Sequence, residues 1–450
     1  MSNDIQASTD AFLTPAERVE KGKALRKSCP RSSHAVWLPA VNRPDPVSLL
    51  MEANKGRARK LLPMKFDRMK TNAFVFYRGA ASLMAADLSG TPNSGIRVQI
   101  CGDAHVKNLG TYATPDGRLV FDVNDFDETI TAPWEWDLKR LAVSMLLAGA
   151  EADDKPADCK KAVREFVAAY RDAMKLFSTM KVLDLMQYEI LNSGIQKDSF
   201  VTRVLKKAER VTPEKNLEKL TEPSEDGWRK FKESNVVTHV TPDSKQAILD
   251  ALPEYISRLG AARRLTIKSY SPHDVAFKIV GTGSVGTLDY IVLLFGNGPN
   301  DPLFLQVKQA MPSCYAKYLP DVPPAEHEGQ RVADGQYCLQ TVTDPFVGWT
   351  TINGKHFVVR QLADHKASVE PAELTGDILM EYGVICGKLL ARAHARTGDA
   401  AMISGYCGAS DLFDRAIADF AVAYAAQTNK DFAAFKTVSN DELLKRVPEE

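Results

Sequence analysis

The chain carries two neighbouring stretches rich in polar side chains, CGDAHVKN at residues 101–108 and VFDVNDFDET at residues 120–129. In the first, Asp103 precedes Asn108 by five positions; in the second, an apolar run typical of a strand leads into Asp125. Carboxylate and amide oxygens are the ligands that a hard cation such as Mg²⁺ prefers, and a further carboxylate can act as a base. The two stretches together predict a site that combines a base with oxygen ligands for a cation.

This combination is typical of enzymes that transfer phosphoryl groups, because that reaction asks the protein for positioning and charge rather than for covalent chemistry. Asp103 is then the base, or the group that orients a substrate hydroxyl. Asn108 and Asp125 are the predicted metal ligands, and Asp127 is predicted to assist them.

Two other interpretations of the same residues exist. In the first, the polar residues form a solvated turn and bond to the backbone. Four carboxylates nevertheless crowd within seven residues beside an apolar strand: Asp122, Asp125, Asp127 and Glu128. Like charges at a buried strand end are costly unless a cation compensates them. The second is a binuclear metallophosphoesterase, which also opens with Gly-Asp-x-His but needs a Gly-Asn-His-Asp/Glu stretch that this sequence lacks.

The wider segment resembles the aminoglycoside-phosphotransferase branch of the protein-kinase-like fold. That branch shows His-Gly-Asp-x-His-x-x-Asn, an apolar strand into Asp-Phe/Trp-Asp/Glu, and a helix that opens with Asp-Leu. The matching positions are Gly102, Asp103, His105, Asn108, Asp125, Phe126, Asp127, Asp137 and Leu138. The resemblance implies a catalytic role for His105 as well as for Asp103 and Asn108. Cys101 stands where the branch has its first histidine, so the resemblance implies the site more firmly than the identity of the reaction.

Most of the chain is also similar to an uncharacterised bacterial family, a group defined as a domain of unknown function. The stretches that carry this similarity are RPDPVSLL (43–50), FVFYRGAA (74–81), CGDAHVKNLG (101–110), NDFDETITAPWEWDLKRLA (124–142), KIVGTGSVGTLDYIVLL (278–294) and LLARAHARTGD (389–399). The family's description implies no function.

A glycine-rich stretch, GTGSVG at residues 281–286, follows the strand-like run VAFKIV at 275–280. A second apolar, β-branched run comes after it, which predicts a strand–turn–strand hairpin rather than the strand–helix unit of dinucleotide-binding proteins. Backbone amides approach phosphates closely where side chains are absent. The predicted nucleotide-binding positions of this loop are Gly281, Gly283, Ser284 and Gly286.

A strand lysine completes the predicted nucleotide site. The run LFLQVKQA (303–310) contains Lys308, and LQVK resembles the kinase strand Val-Ala-Ile-Lys, whose lysine contacts the α- and β-phosphates. In kinases a helix glutamate pairs with this lysine, and Glu326 or Glu328 is the candidate here, with Glu328 chosen for the site. Alternatively, Lys308 is an exposed lysine of an ordinary hairpin.

The order of these parts is reversed relative to ordinary kinases, because the catalytic loop near residue 105 precedes the glycine loop near residue 283. A circular permutation accounts for this order, since a domain keeps its packing when its ends are joined and new ends open at the surface. The helical stretch at 378–399 resembles the helix that lies just upstream of the catalytic loop in the aminoglycoside-phosphotransferase branch.

The predicted fold is therefore α+β and two-lobed, kinase-like and circularly permuted, with a small, mainly β lobe and a large helical lobe. The predicted divisions are residues 1–60, an N-terminal leader and helices; 61–239, the catalytic-loop part of the helical lobe; 240–366, the glycine-loop nucleotide lobe; and 367–450, C-terminal helices that return to the helical lobe.

Composition favours an ordinary cytoplasmic protein. Of the 450 residues, 44% are hydrophobic and 25% are charged, and 57 basic residues balance 57 acidic ones, so no global field favours nucleic acid or an anionic membrane. No apolar run approaches the length of a membrane span, and the N-terminus lacks a signal pattern. Seven cysteines without a CxxC pair argue against a disulfide framework and structural zinc.

Two basic features have open interpretations. The run from Lys55 to Lys70 is expected to form a solvated helix face, or, as the alternative, to bind a phosphate-bearing substrate. Arg78, in the stretch FYRG, either reaches a phosphate or forms a structural salt bridge.

The sequence thus predicts an ATP- and Mg²⁺-dependent phosphotransferase that acts on a small-molecule hydroxyl, with the acceptor and the oligomeric state left open. A protein kinase or a nucleotidyltransferase would use the same residues. The alternative from another class is a nucleotide-binding sensor without transfer activity.

Overall fold

The computed structural model describes residues 13–114, 116–190, 199–210, 212–225, 227–279, 281–362, 367 and 369–449. The predicted leader at residues 1–12, Val280 of the predicted strand and the predicted lobe boundary at residue 366 lie outside the described residues. The fold is mixed α+β, as the sequence predicts.

Helices form most of the protein. They are α1 (Pro15–Ala24), α2 (Pro46–Glu52), α3 (Leu62–Met69), α4 (Ala73–Gly79), α5 (Ala81–Ser89), α6 (Glu135–Glu151), α7 (Pro156–Phe177), α8 (Val182–Met186), α9 (Phe200–Ala208), α10 (Pro213–Leu220), α11 (Pro242–Arg258), α12 (Ala261–Ile267), α13 (Glu328–Leu339), α14 (Gly376–Ala395), α15 (Ala400–Cys407), α16 (Leu412–Thr437) and α17 (Asn440–Arg446).

The largest core lies where α6, α7, α14 and α16 pack together. Helix α7 buries one face, whose residues Val163, Phe166 and Tyr170 recur at helical spacing. Two glycines let α14 approach it closely: a Cβ at Gly387 would overlap the Phe166 carbonyl oxygen, and one at Gly383 would lie 3.1 Å from the carbonyl oxygen of Ala162. Small residues at these two positions therefore set the distance between the two helices.

The strands of the described chain are β1 (Arg97–Ile100), β2 (Leu109–Ala113), β3 (Leu119–Val123), β4 (Ile130–Pro133), β5 (Thr221–Pro223), β6 (Arg229–Phe231), β7 (Val237–His239), β8 (Ser271–Lys278), β9 (Asp289–Phe295), β10 (Pro302–Gln309), β11 (Gly348–Ile352) and β12 (Lys355–Gln361). Six of them form an antiparallel sheet in the order β11-β12-β10-β9-β8-β7.

The six-stranded sheet is covered on both faces. Strands β9 and β10 are buried along almost their whole length, which explains their continuous apolar runs. Leu294 and Leu305 belong to the apolar cluster shared with α11, whereas Leu293 and Phe304 pack with Leu217 of α10 in a second cluster.

Helix α13 lies in the chain between β10 and β11 and packs against β11 and β12. A Cβ at Gly329, in its first turn, would overlap the Phe357 carbonyl oxygen of β12, so this helix approaches the sheet where it carries no side chain.

Both polar stretches of the sequence lie in the segment between two paired strands, β1 and β4. Strand β1 pairs with β4 in antiparallel register, with Ile100 opposite Ile130. The chain between these two residues contains the loop 101–108, the β2–β3 hairpin and the turn at 124–129. The β1–β4 pair therefore brings the two stretches together at one end.

Several side chains of the basic run between Lys55 and Lys70 make contacts within the protein. Lys65 is 3% exposed and donates to Asn54 at 2.8 Å, and Arg59 and Lys70 donate to backbone carbonyls near the C-terminus. The expectation of a solvated helix face is wrong for Lys65, which is buried, whereas Lys55, Arg59 and Lys60 are exposed.

No helix in the described part of the chain is both long enough and apolar enough to cross a membrane.

Candidate functional site

The loop that carries Asp103 is held from both sides. The Asp137 carboxylate, in the first turn of α6, accepts hydrogen bonds from the amides of Cys101 at 2.8 Å and Gly102 at 3.0 Å. The Tyr315 hydroxyl donates to the Gly102 carbonyl oxygen at 2.6 Å. Gly102 has φ +81° and a Cβ there would overlap Glu128, so the loop requires glycine at this position.

Asp103 forms an ion pair with Arg140, a residue that the sequence analysis missed. The Arg140 Nε donates to Asp103 Oδ1 at 2.8 Å, and its Nη2 contacts the same oxygen. The fully buried guanidinium also lies over the Tyr77 ring, 4.5 Å from its centre. Burial would lower the pKa of Arg140, but Asp103 outweighs this effect and the pKa lies well above its ordinary value. Arg140 therefore stays charged and holds one oxygen of Asp103.

The second oxygen of Asp103 faces His105. Their nearest atoms, Asp103 Oδ2 and His105 Nε2, are 3.7 Å apart. His105 Nδ1 accepts a hydrogen bond from the amide of Lys107 at 3.2 Å. Burial lowers the pKa of His105 to about 3, so its ring is neutral at pH 7. His105 therefore lines the site as a neutral ring and not as a cation.

Asn108 crosslinks the two polar stretches. Its side-chain nitrogen donates to the carbonyl oxygens of Asp103 at 2.8 Å and Asp125 at 3.2 Å. Its Oδ1 is buried and has no hydrogen-bond partner among the described residues. Such an acceptor is costly unless a donor or a cation completes it, and an amide oxygen is a suitable ligand for Mg²⁺.

Lys308 reaches this site from the six-stranded sheet. Its Nζ lies 2.5 Å from Asp127 Oδ2 and 4.0 Å from Asp125 Oδ1. Burial alone would lower the pKa of Lys308, but the two carboxylates raise it above its ordinary value. The ammonium is buried, with 4% of the side chain exposed, whereas 41% of the Asp125 side chain is accessible. The structure therefore brings together the lysine and the carboxylates that the sequence analysis assigned to one site.

The glycine stretch forms the predicted hairpin, because β8 and β9 pair in antiparallel register on either side of it. Its tip holds a short 3₁₀ turn at Thr282–Ser284, and Ser284 Oγ donates to Asp127 Oδ2 at 3.3 Å. Gly286 has φ +94°, a conformation that favours glycine. The loop thus lies beside the carboxylate that also binds Lys308.

Arg57, a second residue missed by the sequence analysis, fixes the glycine loop to the helical part of the protein. Its Nη1 donates to the carbonyl oxygens of Gly283 and Val285, both at 2.9 Å. The amide of Ala58 donates to the Gly286 carbonyl oxygen at 2.7 Å. These bonds occupy loop carbonyls, so the Arg57 guanidinium does not compete with a ligand for the loop amides.

The expected pairing of Lys308 with Glu328 is wrong. The Glu328 carboxylate pairs with Arg331, one turn further along α13, at 2.5 Å. Among the described residues, Asp125 and Asp127 are the ion-pair partners of Lys308. Arg331 also donates to the carbonyl oxygen of Asp127 at 2.9 Å, so Glu328 is connected to the site through this arginine.

The crowded carboxylates of the second stretch divide into two groups. Asp122 is buried against Arg392, with oxygen–nitrogen distances of 2.6 and 2.8 Å, and Glu128 accepts from the amide of Cys314 at 2.6 Å. Asp125 and Asp127 are the partly accessible pair. These two carboxylates share the Lys308 ammonium, so they, and not Asp122 or Glu128, are the carboxylates open to a further ligand.

Among the described residues, no cluster of three or more His, Cys, Asp or Glu side chains has the arrangement of a metal site. The candidate magnesium site does not require one, because it combines two carboxylates, Asp125 and Asp127, with the amide oxygen of Asn108. A cation that retains several water ligands suits such a sparse set.

Comparison with known proteins places the chain in a family without adding an activity. A search of curated proteins found no match, and a search of solved structures found none. One family model matches residues 57–438, which include every predicted site residue. The chain therefore belongs to the family described as an uncharacterized protein conserved in bacteria (DUF2252).

Proposed function

We propose that the protein is an ATP- and Mg²⁺-dependent phosphotransferase of kinase-like type that acts on a small-molecule hydroxyl. The observation that carries the proposal is the meeting of Lys308, Ser284 and the Asp125–Asp127 pair, which come from distant parts of the sequence. A glycine hairpin, a strand lysine and a metal-binding Asp-Phe-Asp turn at one place are the parts that kinase-type phosphoryl transfer requires.

The order of the sheet strands supports a kinase-like architecture. In protein kinases the lysine lies on the third strand, after the two strands of the glycine hairpin, and a helix follows it. Here β8 and β9 form the hairpin, β10 carries Lys308 and α13 follows.

One contact supports the circular permutation. The amide of Gln99, in β1, donates to Thr397 Oγ1 at 3.1 Å, just beyond the end of α14. The helix expected to precede the catalytic loop therefore ends beside the strand that enters this loop, although Gln99 and Thr397 are 298 positions apart in the sequence.

Asp103 is the proposed hydroxyl-orienting residue. Arg140 occupies its Oδ1, which leaves Oδ2 to accept a hydrogen bond from the acceptor hydroxyl. Because Arg140 holds this carboxylate in place, its main contribution is orientation of the hydroxyl, with proton acceptance late in the reaction.

Asn108 Oδ1, Asp125 and Asp127 would hold Mg²⁺. When bound, the ion neutralises charge on the phosphates of the nucleotide. Lys308 would have two roles in this site. In this structure its ammonium is the counter-charge of Asp127. We expect the ammonium to turn towards the α- and β-phosphates when nucleotide binds, while the amides of Gly281, Gly283 and Gly286 face the phosphates from the other side.

A second candidate function is a nucleotide sensor that binds but does not transfer. The close pairing of Asp103 with Arg140 favours it, since an engaged carboxylate is less available to a hydroxyl.

A titration with ATP and Mg²⁺, monitored by thermal unfolding, tests the shared part of both candidates. A ligand at 100 times its Kd should stabilise the protein by about 2.7 kcal/mol. Stabilisation followed by transfer of labelled phosphate to a panel of hydroxyl compounds supports the enzyme, and stabilisation without transfer or hydrolysis supports the sensor. No Mg²⁺-dependent stabilisation by ATP, GTP or ADP would refute both.

A further inference from the structure

The sequence left two interpretations of Arg78, which lies between the two halves of the candidate site. It lies in the last turn of α4, which begins after the capping residue Asn72. Phe74 and Tyr77 anchor this helix in the main core, and both are 2% exposed. The end of α4 is therefore a rigid platform for the Arg78 side chain.

The backbone at this point touches both halves of the site. A Cβ added at Gly283, in the glycine loop, would lie 3.5 Å from the Arg78 carbonyl oxygen. On the other side, the carbonyl oxygen of Tyr77 accepts from Arg140 at 3.3 Å, and Arg140 holds Asp103. The Arg78 side chain therefore begins between the glycine loop and the hydroxyl-orienting carboxylate.

The Arg78 guanidinium lies 6.0 Å from the centre of the Phe74 ring but has no ion-pair or hydrogen-bond partner among the described residues, and its Nε is buried without one. Three other arginines of low exposure pair with carboxylates, Arg43 with Asp87 and Asp431, Arg140 with Asp103, and Arg392 with Asp122, and Arg57 donates to two backbone carbonyls. A desolvated charge without a partner is costly, so a residue of this kind is expected to receive an anion.

Carboxylates of the candidate site act electrostatically on the Arg78 guanidinium. Burial lowers the pKa of Arg78, whereas the negative charges of Asp103 and Asp125 act in the opposite direction. Its positive charge also adds to the burial that lowers the pKa of His105. Arg78 is thus close enough to influence the hydroxyl-orienting carboxylate, a metal-binding carboxylate and the neutral ring of the catalytic loop.

We propose that Arg78 binds the transferred phosphoryl group of the nucleotide. This inference rests on the proposed function, since the group located between a hydroxyl held by Asp103 and a metal held by Asp125 is the phosphoryl group in transit. A planar guanidinium donates two parallel hydrogen bonds to phosphate oxygens, which a lysine cannot do.

The reaction balances without a further reagent. The acceptor oxygen forms a bond to the terminal phosphorus, and the bond from that phosphorus to the bridging oxygen of the nucleotide breaks. The nucleoside diphosphate leaves with the electron pair, and the hydroxyl proton passes to Asp103 and then to solvent. Arg78 donates to the non-bridging oxygens, whose negative charge is redistributed during the transfer.

The test compares Mg²⁺–ATP with Mg²⁺–ADP, which lacks the terminal phosphoryl group, in wild type, Arg78→Ala, Arg78→Lys and Arg164→Ala. Arg164 is a half-exposed arginine paired with Asp411 on the outer face of α7 and controls for the loss of one positive charge. Calorimetry measures both dissociation constants, and phosphate release measures turnover.

Arg78→Ala should leave ADP affinity unchanged and weaken ATP affinity by about 10-fold, the scale of one hydrogen bond to a charged group. Turnover should fall by about 10²-fold, as for removal of one transition-state donor. Arg78→Lys should recover part of both losses, because lysine keeps the positive charge but lacks the two parallel donors of a guanidinium. Arg164→Ala should match wild type.

Two results would overturn the proposal in distinguishable ways. In the first, wild type binds both nucleotides, and Arg78→Ala keeps the same preference for ATP and the same turnover. This result overturns the role of Arg78 and leaves the proposed function intact. Wild type that binds neither nucleotide overturns the proposed function together with this inference. If Arg78→Ala fails to fold, as judged by circular dichroism, Arg78→Lys is decisive: an ATP preference and turnover identical to wild type refute the need for a guanidinium.

Discussion

Lys308 and Asp127 are 181 positions apart in the sequence, and the Nζ of one lies 2.5 Å from Oδ2 of the other. This ion pair joins strand β10 of the six-stranded sheet to the turn that follows β3. It neutralises a carboxylate that would otherwise repel Asp125 and the phosphates of a nucleotide. The pair therefore ties the two halves of the candidate site together and is the contact that nucleotide binding should rearrange.

Asp125→Asn should abolish the Mg²⁺ dependence of nucleotide binding, because the amide retains the shape but loses the charge that attracts the cation. Unfolding should remain cooperative, since 41% of the Asp125 side chain is exposed and the substitution creates no cavity. Calorimetry with ATP at several Mg²⁺ concentrations measures the effect. Asp116→Asn is the control, because Asp116 is a surface carboxylate paired with Arg118. The same Mg²⁺ dependence in wild type and Asp125→Asn would remove Asp125 from the metal site.

Asp103→Asn should retain ATP binding and lose phosphoryl transfer by about 10²-fold or more, the usual contribution of a positioned acid–base group. The variant should also be less stable, because Arg140 is fully buried and loses its charged partner. Single-turnover transfer and denaturant unfolding measure the two effects. Transfer at the wild-type rate would show that Asp103 has only a structural role.

Arg57→Ala should loosen the glycine loop, because it removes two hydrogen bonds from a charged donor to the carbonyls of Gly283 and Val285. Such bonds contribute about 1.5–3 kcal/mol each. Hydrogen exchange at the Ala58, Ser284 and Thr287 amides should therefore accelerate by about 10-fold or more, and saturating ATP should reverse part of the change.

Arg59→Ala is the matched control for this experiment. Arg59 also donates to two backbone carbonyls, those of Leu444 and Val447, at 3.0 Å or less, but at the C-terminal end of the chain. It should accelerate exchange in α17 and leave the glycine loop unchanged. Equal effects of the two variants on the loop would mean that general destabilisation, and not the Arg57 contacts, governs its exchange.

His34→Gln should reduce the pH dependence of the free energy of unfolding below pH 6.5. Burial, reinforced by the charge of Lys139, lowers the pKa of His34 to about 3, below the ordinary value of 6.5. Between pH 3 and 6.5 the unfolded chain therefore binds one proton that the folded protein excludes, so stability is complete above pH 6.5 and falls as the pH is lowered. The slope is about 1.4 kcal/mol per pH unit in this window.

Urea unfolding between pH 4.5 and 7 measures this slope for wild type and His34→Gln. His239→Gln provides the control, because His239 is exposed on β7. We expect the difference between His34→Gln and wild type to shrink towards acidic pH. A difference that does not change with pH would show that folding leaves the pKa of His34 at its ordinary value.

The sequence by itself determined the local elements of this protein. The apolar, β-branched residues around GTGSVG predict the β8–β9 hairpin, and the helical stretch at 378–399 predicts α14. These features depend on residues close together in the chain, so local periodicity is sufficient to find them. The residue types and spacing of Asp103, Asn108 and Asp125 also predicted one set, to which Lys308 was added because its strand resembles a kinase strand.

Only the tertiary structure decided which charges pair. Arg140, Arg57 and Arg331 are unremarkable in the sequence, yet they hold Asp103, the glycine loop and the backbone of Asp127. The sequence also assigned Glu328 to Lys308, whereas the fold gives that position to Asp127. An ion pair requires two side chains within about 4 Å, and its strength depends on how far burial removes them from water. Both conditions arise from contacts between residues distant in the chain, which neither residue type nor spacing encodes.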